Sequence, residues 1–334
     1  MTLISFGDLA QSLVLRRAVG DTQSSLRAAT EDLALGRASD PARHLGGHVY
    51  PLAAIDSSLA RNSSLSSSLA MATTRAEVMQ ASLEQIDLAA TDAARALFSA
   101  AQSAAPATLR IAAGLSMEAL ETVVQSLNQR HLGQGVFSGT AGEAPALAPA
   151  GTILATARTA TATAASISEL SAQLDTWMSS PDGYLATVAL GNGEPVILPI
   201  GAGKTVSLSV TAVDPLLRST LKGLLMGTLL AEDRFARDPA AQAEIARTAG
   251  ETLYGSSEQR AELAARLGFA QSRMEEAKAR VSAETSFLQI ARNDLLSLDL
   301  YEVSARLSET ETRLETLFAI TARLSRLSLT DYIR

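Results

Sequence analysis

The sequence predicts a mainly α protein: a long discontinuous helical bundle or coiled coil formed by the N- and C-terminal segments, with a small β-rich inserted domain. Three observations carry this reading. From Phe269 to Arg334 there is no Gly and no Pro, and Leu300, Val303, Leu307, Leu314, Leu317 and Leu324 recur mostly at three-, four- and seven-residue steps. Such steps align apolar side chains along one face of a helix. The first forty residues carry a shorter stripe of Phe6, Leu9, Leu13, Val19, Leu26, Ala29 and Leu33. Between these ends lies a zone where Gly-Asn-Gly and Gly-Ala-Gly punctuate short runs of strand-forming residues, the pattern of strands and turns. A stripe so narrow needs a partner, and the candidates are the opposite terminus and further copies of the chain.

In chain order, residues 1–45 hold the N-terminal helix, expected to stop near Leu35-Gly36, with Gly as a natural C-terminal stop. A Gly- and Pro-containing link from Gly36 to Pro51 follows. Residues 46–140 form the first half of a helical domain, with an amphipathic run through Ile55, Leu59, Leu65, Leu69, Ala76, Met79, Leu83 and Ile86. A further helix around Met117 to Leu132 is expected to end at Gly133. Residues 141–213 are the β-rich insert. Gly142 to Ala165 reads as linker, and Tyr184–Val188, Val196–Ile200 and Thr205–Val210 read as strands. Residues 214–290 are the second half of the helical domain, where Asp238-Pro239 opens a helix in the favoured cap-then-Pro order. Residues 291–334 hold the C-terminal helix. The series Val281, Leu288, Leu295 passes into the Leu300, Val303, Leu307 set with an offset, which allows a change of partner face.

Composition narrows the function classes. Hydrophobic residues make up 47% but aromatics only 4%, and much of the apolar share is Ala, which suits close helix–helix approach. A formal charge of −7 argues against a nucleic-acid grip. The most apolar piece, Leu216–Ala231, is short for a membrane span and is interrupted by Arg218 and Lys222. The opening residues lack the basic and apolar regions of a cleaved signal. Zero Cys removes disulfides, thiolate metal sites and Cys nucleophiles together.

Several segments imitate chemical motifs. Gly201-Ala-Gly-Lys204-Thr205 resembles the end of a phosphate loop, but Leu198 stands where the first Gly is required and Pro199 follows it. Ser219-Thr-Leu-Lys222 matches a serine-x-x-lysine pattern without its companion motifs. His44 and His48 have metal-like spacing, yet Gly46 and Gly47 separate them, and His131 stands alone. Acidic residues such as Glu275 and Glu276 alternate with Lys278 and Arg280, as on a solvated helix face. The sequence therefore predicts no catalytic residue, no cofactor, no metal and no enzymatic activity.

Four segments carry a family resemblance. Leu33-Ala-Leu-Gly36-Arg37-Ala-Ser39-Asp40-Pro41-Ala42 resembles the signature that ends the first helix in flagellins, here shorter and with a single Asp. Asn128 to Thr140, containing Gly135-Val-Phe137-Ser138-Gly139-Thr140, resembles their transition out of the helical core. Arg260 to Gly268 resembles the start of the returning helix. The ending Ser328-Leu329-Thr-Asp331-Tyr332-Ile333-Arg334 resembles that of hook–filament junction members. Together the order and spacing resemble the bacterial flagellin superfamily, most closely its hook-associated protein 3 family.

The resemblance implies a structural protein of the extracellular bacterial flagellum, exported through the flagellar type III apparatus without a cleaved signal peptide. It implies assembly with copies of itself, the first hook-associated protein, flagellin and an export chaperone, and no contact with nucleic acid. The termini would pair as the inner core of a tube. The stripe residues implicated in assembly are Leu9, Leu13, Leu26, Leu33, Leu307, Leu314, Leu317, Leu324 and Leu327. Gly36, Arg37, Ser39, Asp40, Pro41, Phe137, Gly139, Asp331 and Tyr332 carry the family signature. Filament flagellin and a type III secreted translocator are the alternatives.

Overall fold

The computed structural model of the chain describes residues 6–332 apart from 202, 233–234 and 236–237, and for 6–9, 11, 12 and 325–332 it describes helix membership alone. The elements are α1 (Phe6–Leu35), α2 (Pro41–His44), α3 (Tyr50–Ser103), α4 (Pro106–Leu127), β1 (Arg130–His131), β2 (Gln134–Gly135), α5 (Ala150–Ala160), α6 (Ile167–Ser179) and α7 (Tyr184–Thr187). They continue with β3 (Val196–Pro199), β4 (Thr205–Leu208), α8 (Pro215–Leu229), α9 (Pro239–Gly255), α10 (Ser257–Leu296) and α11 (Leu300–Tyr332). The chain divides into a terminal unit, up to Ser63 and from Ser282 onward, and a central unit, Ser64–Val281.

Local chemistry explains four of the helix starts. Asp40, Asp214 and Asp238 each precede a Pro at the first helical position, and each carboxylate accepts a backbone N–H of its own first turn. That arrangement satisfies an orphan donor while Pro presets the backbone. Ser166 caps α6 by accepting from Glu169 N at 3.3 Å, while Glu169 reaches back to Ala165 N at 2.8 Å. At the end of α1, Gly36 takes φ +64°, a left-handed conformation that favours glycine.

In the central unit, α3 buries Leu69, Ala72, Ala76, Met79, Leu83, Ile86 and Ala90 in alternating three- and four-residue steps. On α10, Leu263, Leu267, Ala270, Met274 and Ala277 do the same. Alanine at many of these positions permits close helix approach. Helices α4 and α9 both pack on α8.

The middle of the chain departs from the strand-and-linker expectation. Tyr184–Val188, expected as a strand, holds the helical turn α7. There Tyr184 is fully buried, with its ring edge-on to Trp177 at 5.7 Å. Packing of that aromatic pair outweighs the β preference of Tyr and Val. Part of the expected linker Gly142–Ala165 is α5, with Ile153, Leu154 and Ala157 buried. An Ala- and Thr-rich stretch becomes helical once its apolar face finds a core. The helix expected around Met117–Leu132 begins earlier, at Pro106, and ends at Leu127.

The other two strands form an antiparallel hairpin with Val196 opposite Leu208 and Pro199 opposite Thr205. Its turn is closed by Ile200 N donating to Lys204 O and Lys204 N donating to Gly201 O, both at 2.9 Å. Gly201 and Lys204 thus belong to a hairpin turn.

Candidate assembly surface

The terminal unit places the two ends of the chain side by side. Arg37 and Ser297 form an antiparallel bridge, and Ala38 N donates to Leu296 O at 3.0 Å. This ties the end of α1 to the start of α11. The two helices pack against each other and so run antiparallel. On α1 the seam consists of Leu15, Val19, Thr22, Leu26 and Ala29; on α11 it consists of Val303, Leu307, Thr310, Leu314, Leu317 and Leu324. Both sets advance by alternating three- and four-residue steps, with one seven-residue step from Leu317 to Leu324, the spacing of a coiled-coil seam.

The seam is thin. Thr22, Ala29 and Val303 are buried, whereas the leucines are only partly buried. Two threonines interrupt the apolar run, and each hydroxyl turns back into its own helix. Thr22 donates to Ala18 O and Thr310 to Arg306 O, both at 2.7 Å. Large apolar side chains also point away from the seam: Leu13 is 67% exposed, and Val14, Phe318 and Ile320 are exposed with it. Near the base, Leu35, Leu300 and Tyr301 are exposed too. A helix pair with this much apolar surface on both its inner and outer faces gains further burial when other helices join it.

Of the residues named from the sequence, Leu26, Leu307, Leu314, Leu317 and Leu324 line this seam, partly buried. Leu13 faces outward, and Leu33 is just past one-third exposed. Leu9, Leu327, Asp331 and Tyr332 lie in helical spans, but their side chains fall outside the described residues.

The signature residues have identifiable work. Arg37 provides the bridge to Ser297, Ser39 N donates to Asp32 Oδ1 at 2.6 Å, and Asp40 with Pro41 starts α2. Phe137 is buried and its carbonyl accepts from Ala212 N at 3.0 Å. Gly139 has φ +70°, and a Cβ there would meet Asn192 Oδ1 at 2.5 Å. The Gly135–Thr140 signature therefore clasps the segment leading to β3, with Thr140 N donating to Asn192 Oδ1 at 3.1 Å.

The offset in the C-terminal stripe is a break between α10 and α11 at Ser297–Asp299. No Gly or Pro marks it. Asp299 Oδ1 accepts from Tyr301 N at 2.8 Å and caps the new helix. The buried positions Leu296 and Val303 are seven residues apart, one residue out of phase with Leu288 and Leu295. Sequence reading also missed Arg260 as a packing hub. Its buried guanidinium pairs with Asp87 at 2.7 Å and donates to Ser256 Oγ at 2.6 Å and Leu253 O at 3.1 Å.

Electrostatic perturbation follows burial. Burial pushes the Tyr184 phenol far above its ordinary range, with Arg218 pulling the other way. Desolvation lowers Arg75, whose guanidinium donates to the carbonyls of Gly135 and Val136, both at 3.1 Å. His44 and His48 are exposed. Among the described residues no three His, Cys, Asp or Glu side chains gather as a metal site, and no helix is long and apolar enough to cross a membrane.

Residues 255–333 match the family model of the bacterial flagellin C-terminal helical region. This span contains the whole of α10 and α11, including the α11 side of the seam. Among solved structures, the chain is similar to a candidate flagellar hook-associated protein from Vibrio parahaemolyticus, with 12% identity and a TM-score of 0.51, covering 73% of this chain and 95% of that one. At that identity the likeness concerns the fold. No curated protein sequence matches the chain.

Proposed function

We propose that this chain is a structural subunit of the bacterial flagellum, acting at the junction between hook and filament as a protein of the hook-associated protein 3 type. The observation that carries the reading is the match of residues 255–333 to the flagellin C-terminal helical region, on the helix that pairs with α1. In this reading the paired ends form the inner wall of a tube. Copies of the chain supply the burial that the thin seam lacks, so stability rises on assembly. The likeness in fold to a candidate hook-associated protein and the Asp331-Tyr332 ending favour the junction over the filament. Its partners are then copies of itself, the first hook-associated protein below, flagellin above and an export chaperone beforehand. In this reading the subunit works outside the cell as part of the flagellum.

Filament flagellin is the second reading, because the matching family model is named for flagellin. Electron microscopy with a label on the chain separates the two. A band at the distal end of the hook supports the junction, label along the filament supports flagellin, and label off the flagellum overturns both. Leu314→Asp or Leu317→Asp places a charge in the seam and is expected to permit secretion while abolishing filament attachment. Normal filaments from either variant would refute the role given to α11.

A further inference from the structure

Away from the α1–α11 seam, the terminal unit contains a second helix pair, the start of α3 and the end of α10. Asp56 on α3 pairs with Arg292 on α10 at 2.7 Å. The link from α1 leaves the end of α10 through Ala38 and enters α3 at Tyr50, so this pair is antiparallel. Its seam uses Leu52, Ile55 and Leu59 on α3 and Leu288 and Leu295 on α10. Outside it, α10 exposes a second apolar stripe: Ala283, Phe287 at 69% and Ile290 at 60% exposure. Largely exposed Phe and Ile one helical turn apart form an unpartnered face.

Charge identifies what covers it. Glu284 and Asp294 flank the stripe on α10, and neither forms an ion pair among the described residues. With Asp56 and Arg292 neutralising each other, this stretch of α10 is acidic. The start of α3 is the complement, since its remaining charge is Arg61. That guanidinium has no carboxylate partner among the described residues and donates instead to Ser57 Oγ at 2.9 Å and Ser58 Oγ at 2.8 Å, along its own helix. Beside it Ala53, Ser57 and Ala60 are exposed, small enough to admit the bulky side chains of α10.

At about 100° of turn per residue, the two faces leave the α3–α10 pair on opposite flanks. One chain cannot join its own two faces, whereas neighbouring copies of the same polarity present one to the other. We infer that copies of this chain associate head to tail, with Ala283, Phe287 and Ile290 of one copy packed on Ala53, Ser57 and Ala60 of the next, and Glu284 paired with Arg61. Counted from the Asp56–Arg292 pair, antiparallel alignment sets Phe287 within one residue of Ala60 and Ile290 within one residue of Ser57. Such a heterologous contact closes into a ring or propagates as a helix. The contact rests on the flagellar reading for its setting and deepens it by naming the faces that meet.

The absence of Cys allows a clean test. Two full-length variants, Ala60→Cys and Phe287→Cys, are co-expressed in cells, and their isolated assemblies are treated with a short bismaleimide. A cross-linked dimer is expected from the mixed assemblies and from neither variant alone. Adding Arg61→Glu should lower its yield at least fivefold, and adding Glu284→Arg as well should restore it. Dimers from Phe287→Cys alone, or no dimer from mixed assemblies, overturn the contact. If the label still bands at the hook end, the flagellar reading survives that failure; label elsewhere refutes the reading whatever the cross-link shows.

Discussion

Asp87→Ala should destabilise the central unit more than Arg260→Met, although Asp87 is 51% exposed at its side chain and Arg260 only 3%. The asymmetry follows from what each substitution strands. Removing Asp87 leaves a buried guanidinium with neutral acceptors alone: Ser256 Oγ, Leu253 O and, at 3.4 Å, Thr220 Oγ1. Breaking a buried ion pair costs about 3–5 kcal/mol where nothing compensates; with these acceptors in place, about 2–3 kcal/mol is expected. Removing Arg260 strands nothing. Thr220 donates to Ser256 Oγ at 3.2 Å, Ser256 donates to Leu253 O at 2.8 Å, and Asp87 can hydrate. Methionine fills most of the volume, so about 1 kcal/mol or less is expected. Urea unfolding read by fluorescence suits the question, because Trp177 is the single tryptophan and lies in the central unit. A loss for Arg260→Met equal to or above that for Asp87→Ala would refute the reasoning.

Three further outcomes follow from particular residues. Thr22→Val removes a hydroxyl that bonds only within its own helix, and should stabilise the α1–α11 seam by about 0.5–1 kcal/mol, seen as slower amide exchange in both helices; unchanged or faster exchange would contradict it. Gly36→Ala, at φ +64°, should destabilise the end of α1 by about 1 kcal/mol, whereas Gly20→Ala, helical with open space at Cβ, should stabilise it by about 0.5–1 kcal/mol; circular dichroism melts that rank the two the other way would refute this. Tyr184 Oη is buried without a hydrogen-bonding partner among the described residues, so Tyr184→Phe should be neutral or stabilising by about 1 kcal/mol. Its raised folded pKa means that the unfolded chain releases this proton first as pH rises past the ordinary phenol value of 10.0. Stability should therefore fall above that pH in the wild type, and less steeply in Tyr184→Phe; identical alkaline slopes would exclude the effect.

How far the fold could be read from the sequence varied with the range of the interactions involved. The stop at Gly36, the Asp238-Pro239 start and the hairpin over Val196–Leu208 rest on adjacent residues, and all three are present. The Ser166-x-x-Glu169 start of α6 is equally local and directly follows a segment dominated by Ala and Thr, which masks it. Tyr184–Val188 went the other way, because Trp177 decides its conformation and no short-range pattern records that contact. On the candidate assembly surface, the stripe showed which leucines on α11 share a face. It did not show that Leu13 points outward, since one residue of phase separates a seam position from a solvated one.

By itself the sequence determined the periodic elements: two terminal helices with narrow apolar stripes, long central helices and one hairpin. Spacing along a chain is enough for that, because a helix turns by a constant angle and its faces follow from residue order. Only the tertiary structure decided where α10 gives way to α11, which carboxylate holds Arg260, and which apolar stripes meet a partner inside the chain. Those outcomes depend on residues far apart in sequence, such as Ala38 and Leu296 or Asp87 and Arg260. The ends of the chain were readable as helices that lack burial; that α1 and α11 bury one face on each other and leave another open follows from their packing.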